Sequence, residues 1–536
     1  MPRKPSACYR PLIALLFSAA TIASIATTAH AENLEPESAK AYDVTADSKR
    51  VERLARRVVT EARIPGLAMA VVQNGKVVSA YGFGVVSSTD RQPITADTTF
   101  RIASLSKSFA GTLSAMLVSD GVLSWDARIN TYLPAFKLAN MKSAENLTVM
   151  DILSHRVGLP YNALDRSLEA DEPFPLLVAQ LDQAPVICAP GDCYAYQNIA
   201  FSLIGDVVFA VTGDFYYHLV EKRLFHPLGM RGATYGRDAL EASPSWARPH
   251  VRSRGRWTPV RPKETYYRVP PAAGVNASVN DMAQWLIAQS GHRPDVLPQP
   301  LLDTIHKEQV RTPDQLRGSR WRRDRLRDAH YATGWRVMDY AGHPLLYHAG
   351  AVQGYRAIMG ILPERDLGVV ILWNSESGAP SGLFPTLLDK ALQLPATDWL
   401  KRCVVSYKTR QSRSPSIQQE QERIVRKQRE GRKKKESSCG LSFANFAPFA
   451  DHTLFRGPSP MARGRSRASM RSTALGHLAH RAAKTIRHQV ATSPQSHVNR
   501  HVTAWHAMTR RVTFILSRPH PTNHIPARHS SLPAMS

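Results

Sequence analysis

A serine and a lysine stand three residues apart in TTFRIASLSKSFAGTLSAMLVSDG, residues 98–121. Phe109, Leu113, Ala115, Met116 and Leu117 form an apolar stripe that Gly121 ends, so the spacing predicts a helix beginning near Ser104. In such a first turn Ser104 and Lys107 share a face, where free backbone N–H groups concentrate positive potential. A serine hydroxyl needs a base before it attacks a carbonyl. Lys107 can serve if partial burial and the helix end lower its pKa, and the Ser104 N–H then offers an oxyanion contact. The bland alternative is a capping serine and a solvated lysine, because S-x-x-K arises by chance, although this is its one occurrence in the chain.

Two more clusters could converge with it. In PGDCYAYQNIAF, Tyr196 and Asn198 lie two apart in an extended segment before an apolar helix, which points both side chains the same way. A phenol beside an ammonium can pass protons between nucleophile and leaving group. The alternative is a surface tyrosine and a helix-capping asparagine. In YHAGAVQGYRA, His348, Ala349 and Gly350 fall on an expected strand, and Gly350 permits close backbone approach by a substrate. The Ala351 N–H is a candidate second oxyanion donor, and the strand edge could pair with an extended acyl chain. Alone, this is a strand with a structural histidine. His155, in LSHRVGLP, is expected to be a buried hydrogen-bonding residue that fixes a turn, and Trp335 and Trp373 are expected in the core. Cys188 and Cys193, in CAPGDC, could close a disulfide loop about Pro190-Gly191, with two free thiols as the alternative.

These residues need a scaffold. A helix-like segment at 48–62 precedes two β-branched runs joined by Asn74-Gly75, a strong hairpin signal. Thr148 is an expected helix cap in LTVMDILSHRVGLP, a further helix is expected in SVNDMAQWLIAQ, and strands follow in YATGWRVMDY, HPLLYHAGAVQGYRAIMGILP and DLGVVILWNS. Strands at both ends with helices between predict an α+β fold: an antiparallel sheet built from N- and C-terminal strands, flanked by helices, with a mainly helical insertion at about 121–270.

Composition divides the chain. Residues 1–31 read as a signal peptide, with Arg3, Lys4 and Arg10 before an apolar run and Ala29-His30-Ala31 as the cleavage site, which predicts a secreted, periplasmic protein. Residues 32–398 read as the catalytic domain and 399–536 as a basic tail. The net charge of +26 invites a nucleic-acid reading, but residues 401–536 hold 26 of the 69 Lys and Arg and only 5 of the 43 Asp and Glu. The first 400 residues are therefore near +5, an ordinary surface that gives no reason to expect nucleic acid as a partner of the main domain. From His452 to Ser536 there is no Asp or Glu and no periodicity, so the tail is expected to be disordered. A basic anion-binding tail, a solvated appendage and a sequence read out of frame are its three readings, and we favour the last. His477 and His480 in it are not expected to bind metal.

The ordered set S-x-x-K, Y-x-N, H-x-G, with FRIASLSKSFAG, DILSHRVGLP, PGDCYAYQN, FHPLGMRGATY, PPAAGVNASVNDMAQWL, YATGW and HAGAVQGYRA, resembles the serine β-lactamase and penicillin-binding protein superfamily over residues 45–398. It is most similar to the class C β-lactamases and their relatives: D-alanyl-D-alanine carboxypeptidases, D-aminopeptidases and esterases. The resemblance implies that Ser104 forms an acyl-enzyme, Lys107 and Tyr196 share the proton work, and Asn198, His348, Ala349 and Gly350 bind substrate. Backbone N–H groups of Ser104 and Ala351 would hold the oxyanion. It implies a monomer that needs no metal or organic cofactor and takes a small-molecule or peptide acyl substrate. The expected activity is class C-type β-lactam hydrolysis; an esterase, a D-amino-acid peptidase or carboxypeptidase, and a penicillin-binding sensor without turnover are the alternatives. One departure matters. The family's third motif is usually K-T-G, whose lysine and threonine favour a substrate carboxylate, whereas this chain has His348-Ala349-Gly350. A histidine of ordinary pKa is only partly charged at neutral pH, and alanine has no hydroxyl. Substrate choice is expected to depend on LDRSLEADEPFP and the arginine-rich RGSRWRRDRLRDAH.

Overall fold

The computed structural model describes residues 44–402, with side chains from Lys49 onward. The expected signal peptide and the tail beyond Arg402 lie outside the described residues.

The N-terminal elements are α1 (Val44–Glu61) and a hairpin of β1 (Gly66–Gln73) and β2 (Lys76–Gly84). Asn74 and Gly75 connect the hairpin with φ of 49° and 68°, the positive values a two-residue turn of this kind requires. Next come β3 (Phe100–Arg101), α2 (Ser106–Ser119), α3 (Val149–Leu153), α4 (Ile199–Thr212), β4 (Thr234–Tyr235), β5 (His250–Ser253) and β6 (Arg256–Pro259). They are followed by α5 (Pro270–Ala273), β7 (Val275–Ala277), α6 (Val279–Ile287), β8 (Val310–Arg311), β9 (Leu326–Tyr331) and β10 (Arg336–Tyr340). The chain then forms β11 (His343–Val352), β12 (Tyr355–Leu362), β13 (Leu367–Trp373) and α7 (Leu383–Ala391).

The main sheet has eight strands in the order β2-β1-β13-β12-β11-β10-β9-β8, and each neighbouring pair is antiparallel. The two ends of the chain meet where β1 pairs with β13, Met69 opposite Ile371. This is the expected α+β architecture. Side chains alternate across a strand, so Ala68, Ala70 and Val72 of β1 enter one core with α2, α4 and α6, while Leu67, Met69 and Val71 enter a second core with α1 and α7. With both faces covered, all of β1 is buried.

The stretch read as a mainly helical insertion also contains strands. There, β4 joins a small sheet in the order β3-β7-β4, and β5 and β6 form a separate hairpin. Thr148 does cap α3, in a reciprocal capping box with Asp151.

The helix expected from Ser104 begins two residues later. Ala103–Leu105 is a 3-10 turn, and α2 starts at Ser106. Ala103 has φ +52°, a left-handed conformation uncommon for alanine, immediately before the candidate nucleophile. Every α2 residue from Ser106 to Leu117 is buried, so the apolar stripe is only one side of a helix enclosed all round. Its polar residues are satisfied internally: Ser108 Oγ accepts from Trp285 Nε1 at 3.1 Å and donates to Leu105 O at 2.8 Å.

Candidate active site

Ser104, Tyr196, Asn198, His348, Ala349, Gly350 and Ala351 line one cleft of about 800 Å³. Lys107 stands behind it, fully buried on α2. The three motifs, far apart in sequence, thus share a site because the Ser104 turn packs on β11 and β12 while α2 packs on α4 and α5.

Gly350 explains how β11 reaches the serine. A Cβ there would lie 2.3 Å from Ile102 O and 3.2 Å from the Ala103 Cβ, so only glycine lets the strand pass this close to the Ser104 turn. β10 pairs with β11 only from His343 to Tyr347, whereas β12 follows it to Val352. The β10-side edge of residues 348–352 is therefore without a strand partner, and Ala351 is exposed in the cleft.

Lys107 Nζ donates to Asn198 Oδ1 at 2.7 Å and to Ala272 O of α5 at 3.1 Å. It also stands 4.6 Å from the Tyr196 ring centroid and 5.1 Å from that of Phe201. Burial pushes its pKa well below the ordinary lysine value; Asp165 acts in the opposite direction, and Arg336 lowers it further. Burial raises the pKa of Tyr196 strongly, the neighbouring Ser104 side chain opposes the rise, and the residue rests as the neutral phenol. The environment therefore favours a neutral amine and a neutral phenol, the pairing in which lysine is the stronger base.

Asn198 is held at both polar ends. Its Nδ2 donates to Asp165 Oδ2 at 2.7 Å while its Oδ1 accepts from Lys107. Asn198 immediately precedes α4, yet its side chain makes no capping hydrogen bond. Asp165 lies in the LDRSLEADEPFP segment, and sequence reasoning flagged that loop without singling out this carboxylate. Burial raises its pKa, while hydrogen bonds from Asn198 and Tyr266 and the charge of Lys107 oppose the rise.

The loop presenting Tyr196 and Asn198 is fastened from below. His155 is fully buried with φ +61°, and its Nδ1 accepts from Gln197 N–H at 3.1 Å. Its ring packs 4.2 Å from that of Tyr196 and 4.5 Å from that of Tyr331. It is a positioning residue, as its place in LSHRVGLP suggested. Cys188 and Cys193 form a disulfide, and its loop docks on the same turn through Ile187 N–H to Gly158 O and Gly191 N–H to Arg156 O, both 2.8 Å.

At His348 the expectation of partial charge is corrected. The side chain is 1% exposed, and burial first, then Arg336 and Lys107, drive its pKa well below the ordinary histidine value. It is neutral at pH 7, with Nε2 3.2 Å from Tyr331 Oη and Nδ1 2.9 Å from Ala349 O. The cation near this motif is Arg336 of β10, opposite Tyr347 in the register. Its guanidinium lies 5.5 Å from the Tyr196 ring centroid and 5.2 Å from that of Tyr331, and donates to Tyr194 Oη at 3.1 Å. No spacing rule marked Arg336; YATGWRVMDY reads as a strand, and only register brings the arginine to the cleft. Trp335 is core, whereas Trp373 is buried but also lines the cleft. Among the described residues, no group of three or more His, Cys, Asp or Glu is placed to hold a metal ion.

Comparison with known proteins agrees with this geometry. An unguisins hydrolase of Aspergillus campestris is 26% identical over 356 residues, covering 63% of this chain and 65% of its own. A D-aminopeptidase of Brucella anthropi is 26% identical over 358 residues, covering 66% of this chain and 64% of its own. The match thus spans just under two thirds of the length of these relatives. The octameric penicillin-binding protein homologue from Pyrococcus abyssi has the same fold, with a TM-score of 0.58 at 23% identity over 65% of this chain and 78% of that one. The family model for Beta-lactamase matches residues 51–392, which takes in all three motifs, and the chain belongs to the beta-lactamase family.

Proposed function

We propose that the protein is a secreted serine hydrolase that forms an acyl-enzyme at Ser104 and acts on the amide of a β-lactam. The observation that carries the reading is that Ser104 and Tyr196 line one cleft backed by Lys107, a buried lysine held toward its neutral form. Ser104 Oγ bonds to the carbonyl carbon as its proton leaves along the contact to Tyr196, and Lys107 is the neighbouring group able to take up the charge. The oxyanion rests on the N–H groups of Ser104 and Ala351. The carbon–nitrogen bond then breaks, the leaving nitrogen receives the proton, and water cleaves the ester to regenerate Ser104.

A second reading, hydrolysis of an ester or a D-aminoacyl amide on the same machinery, is favoured by neutral His348 and by Ala349, which has no hydroxyl. Nitrocefin and p-nitrophenyl butyrate, each assayed with the mature protein and with Ser104→Ala, separate the two. Serine-dependent opening of nitrocefin supports the first. Ester turnover without cephalosporin opening replaces it with the second. A penicilloyl adduct that persists for hours on intact protein, without turnover of either compound, would reduce the protein to a sensor. Turnover that survives loss of Ser104 would remove the acyl-enzyme altogether.

A further inference from the structure

A second cleft, of about 600 Å³, lies on the α1–α7 face of the main sheet, between those two helices and the segment 394–401. Leu54 and Val58 of α1, Ala62 just beyond it, and Leu394 and Leu400 from the opposite segment give it an apolar lining, with Trp399 beside them. The wall formed by that segment is held without any occupant. Arg325 Nη2 donates to Pro395 O at 3.2 Å and to Thr397 Oγ1 at 3.3 Å, and Trp399 Nε1 donates to Asp389 Oδ2 at 2.7 Å. An apolar cleft of this size with walls already in place is the form in which small-molecule sites occur.

The charged residues of the cleft are unequal in sign. Arg50, Arg57, Lys390 and Lys401 line it against Glu61, Asp389 and Asp398. All three carboxylates are engaged within the protein. Glu61 Oε1 accepts from Arg57 Nε at 3.1 Å, Asp398 Oδ1 accepts from the Lys401 backbone N–H at 2.9 Å, and buried Asp389 accepts from Arg325, Tyr340 and Trp399. Arg50 and Lys401 are exposed, and neither side chain forms an ion pair among the described residues. Two helices and an irregular segment bound the cleft, so it offers no strand edge on which an extended peptide could pair. Apolar walls beside unmatched positive charge suit a molecule with an alkyl chain and an anionic end.

We propose that this cleft binds a long-chain fatty carboxylate, its alkyl chain between α1 and the segment 394–401 and its head group against Arg50 and Lys401. The site is separate from the catalytic cleft, although the two lie on either side of one turn: Ala379 lines this one, and Gly378 and Ser381 line the other.

The test titrates the full chain with cis-parinaric acid, a fatty acid whose emission rises on leaving water. Saturable enhancement is expected, with oleate displacing the probe more strongly than oleyl alcohol. Ala62→Trp, which fills the cleft, should abolish the enhancement, and Ala396→Trp, at an exposed position of the same lining, serves if the first variant does not fold. Arg50→Glu combined with Lys401→Glu should weaken binding about tenfold, the scale of two exposed ion pairs lost. Enhancement that survives the cleft-filling variants places the probe elsewhere, on the basic tail or in the catalytic cleft, and overturns the proposal. So does the absence of enhancement, or equal displacement by oleate and oleyl alcohol. Ser104→Ala is expected to bind the probe as the wild-type protein does, so a failure of the acyl-enzyme reading is read from its turnover and a failure of this site from the titration.

Discussion

Lys107 and Arg336 are both buried basic side chains beside the Tyr196 ring, yet their surroundings differ. Lys107 is enclosed by α2, α4 and α5, with a carbonyl, an amide and, beyond the amide, the Asp165 carboxylate. Arg336 is enclosed by tyrosines and faces the cleft. A lysine can shed its proton when desolvated and so become a base; an arginine cannot, and so remains a fixed positive field. One side of the site is built to change charge during a reaction, and the other is built to keep it.

The largest expected effect concerns neither of them. Ser104→Ala should lower turnover about a thousandfold or more, measured as kcat/KM on whichever ester or lactam the protein accepts. Lys107→Ala follows, with a loss of roughly a hundredfold to ten-thousandfold in the same assay. If Lys107→Ala instead kept wild-type turnover, the assignment of Lys107 as the base would collapse.

The acid limb of kcat/KM against pH sharpens the comparison. In the proposed mechanism Lys107 acts as the neutral amine, so activity is expected to rise as pH climbs through its pKa. Asp165 raises that pKa and Arg336 lowers it. Asp165→Asn should therefore move the limb to lower pH and Arg336→Gln to higher pH. The other titratable groups around Lys107 are Tyr196, His155 and His348, and all three are held neutral by burial. Shifts in the same direction would show that Asp165 and Arg336 do not bracket Lys107.

Smaller effects test how each side is braced. The Tyr196–Asn198 loop follows the Cys188–Cys193 disulfide, whereas Arg336 and His348 sit on paired strands. Opening the short disulfide loop with Cys188→Ser and Cys193→Ser should cost about 2 kcal/mol in denaturant unfolding. Thr148→Ala, which removes the α3 cap below the His155 turn, should cost about 1 kcal/mol by the same measurement.

Much of this was legible in the chain. Asn74-Gly75, the Thr148 cap and the alternating strands follow from backbone chemistry that acts over a few residues, and they announced the elements correctly. S-x-x-K, Y-x-N and H-x-G named residues that do line one cleft or stand directly behind it, because local spacing had already restricted which side chains could face together. The start of α2 was read two residues early, since a 3-10 turn and an α-helix bury the same apolar positions. Asp165 and Arg336 were missed because each acquires its role from a partner in another segment, Asn198 in one case and the rings of Tyr196 and Tyr331 in the other.

The sequence by itself determined the elements, the pairing of the chain's two ends in one sheet and the candidate nucleophile with its lysine. Only the tertiary structure decided the charges. Whether Lys107 is an amine, whether His348 is neutral and where the fixed positive charge stands depend on how much water each group loses and which distant groups replace it. Desolvation is a property of the enclosed volume and not of the neighbours in the chain.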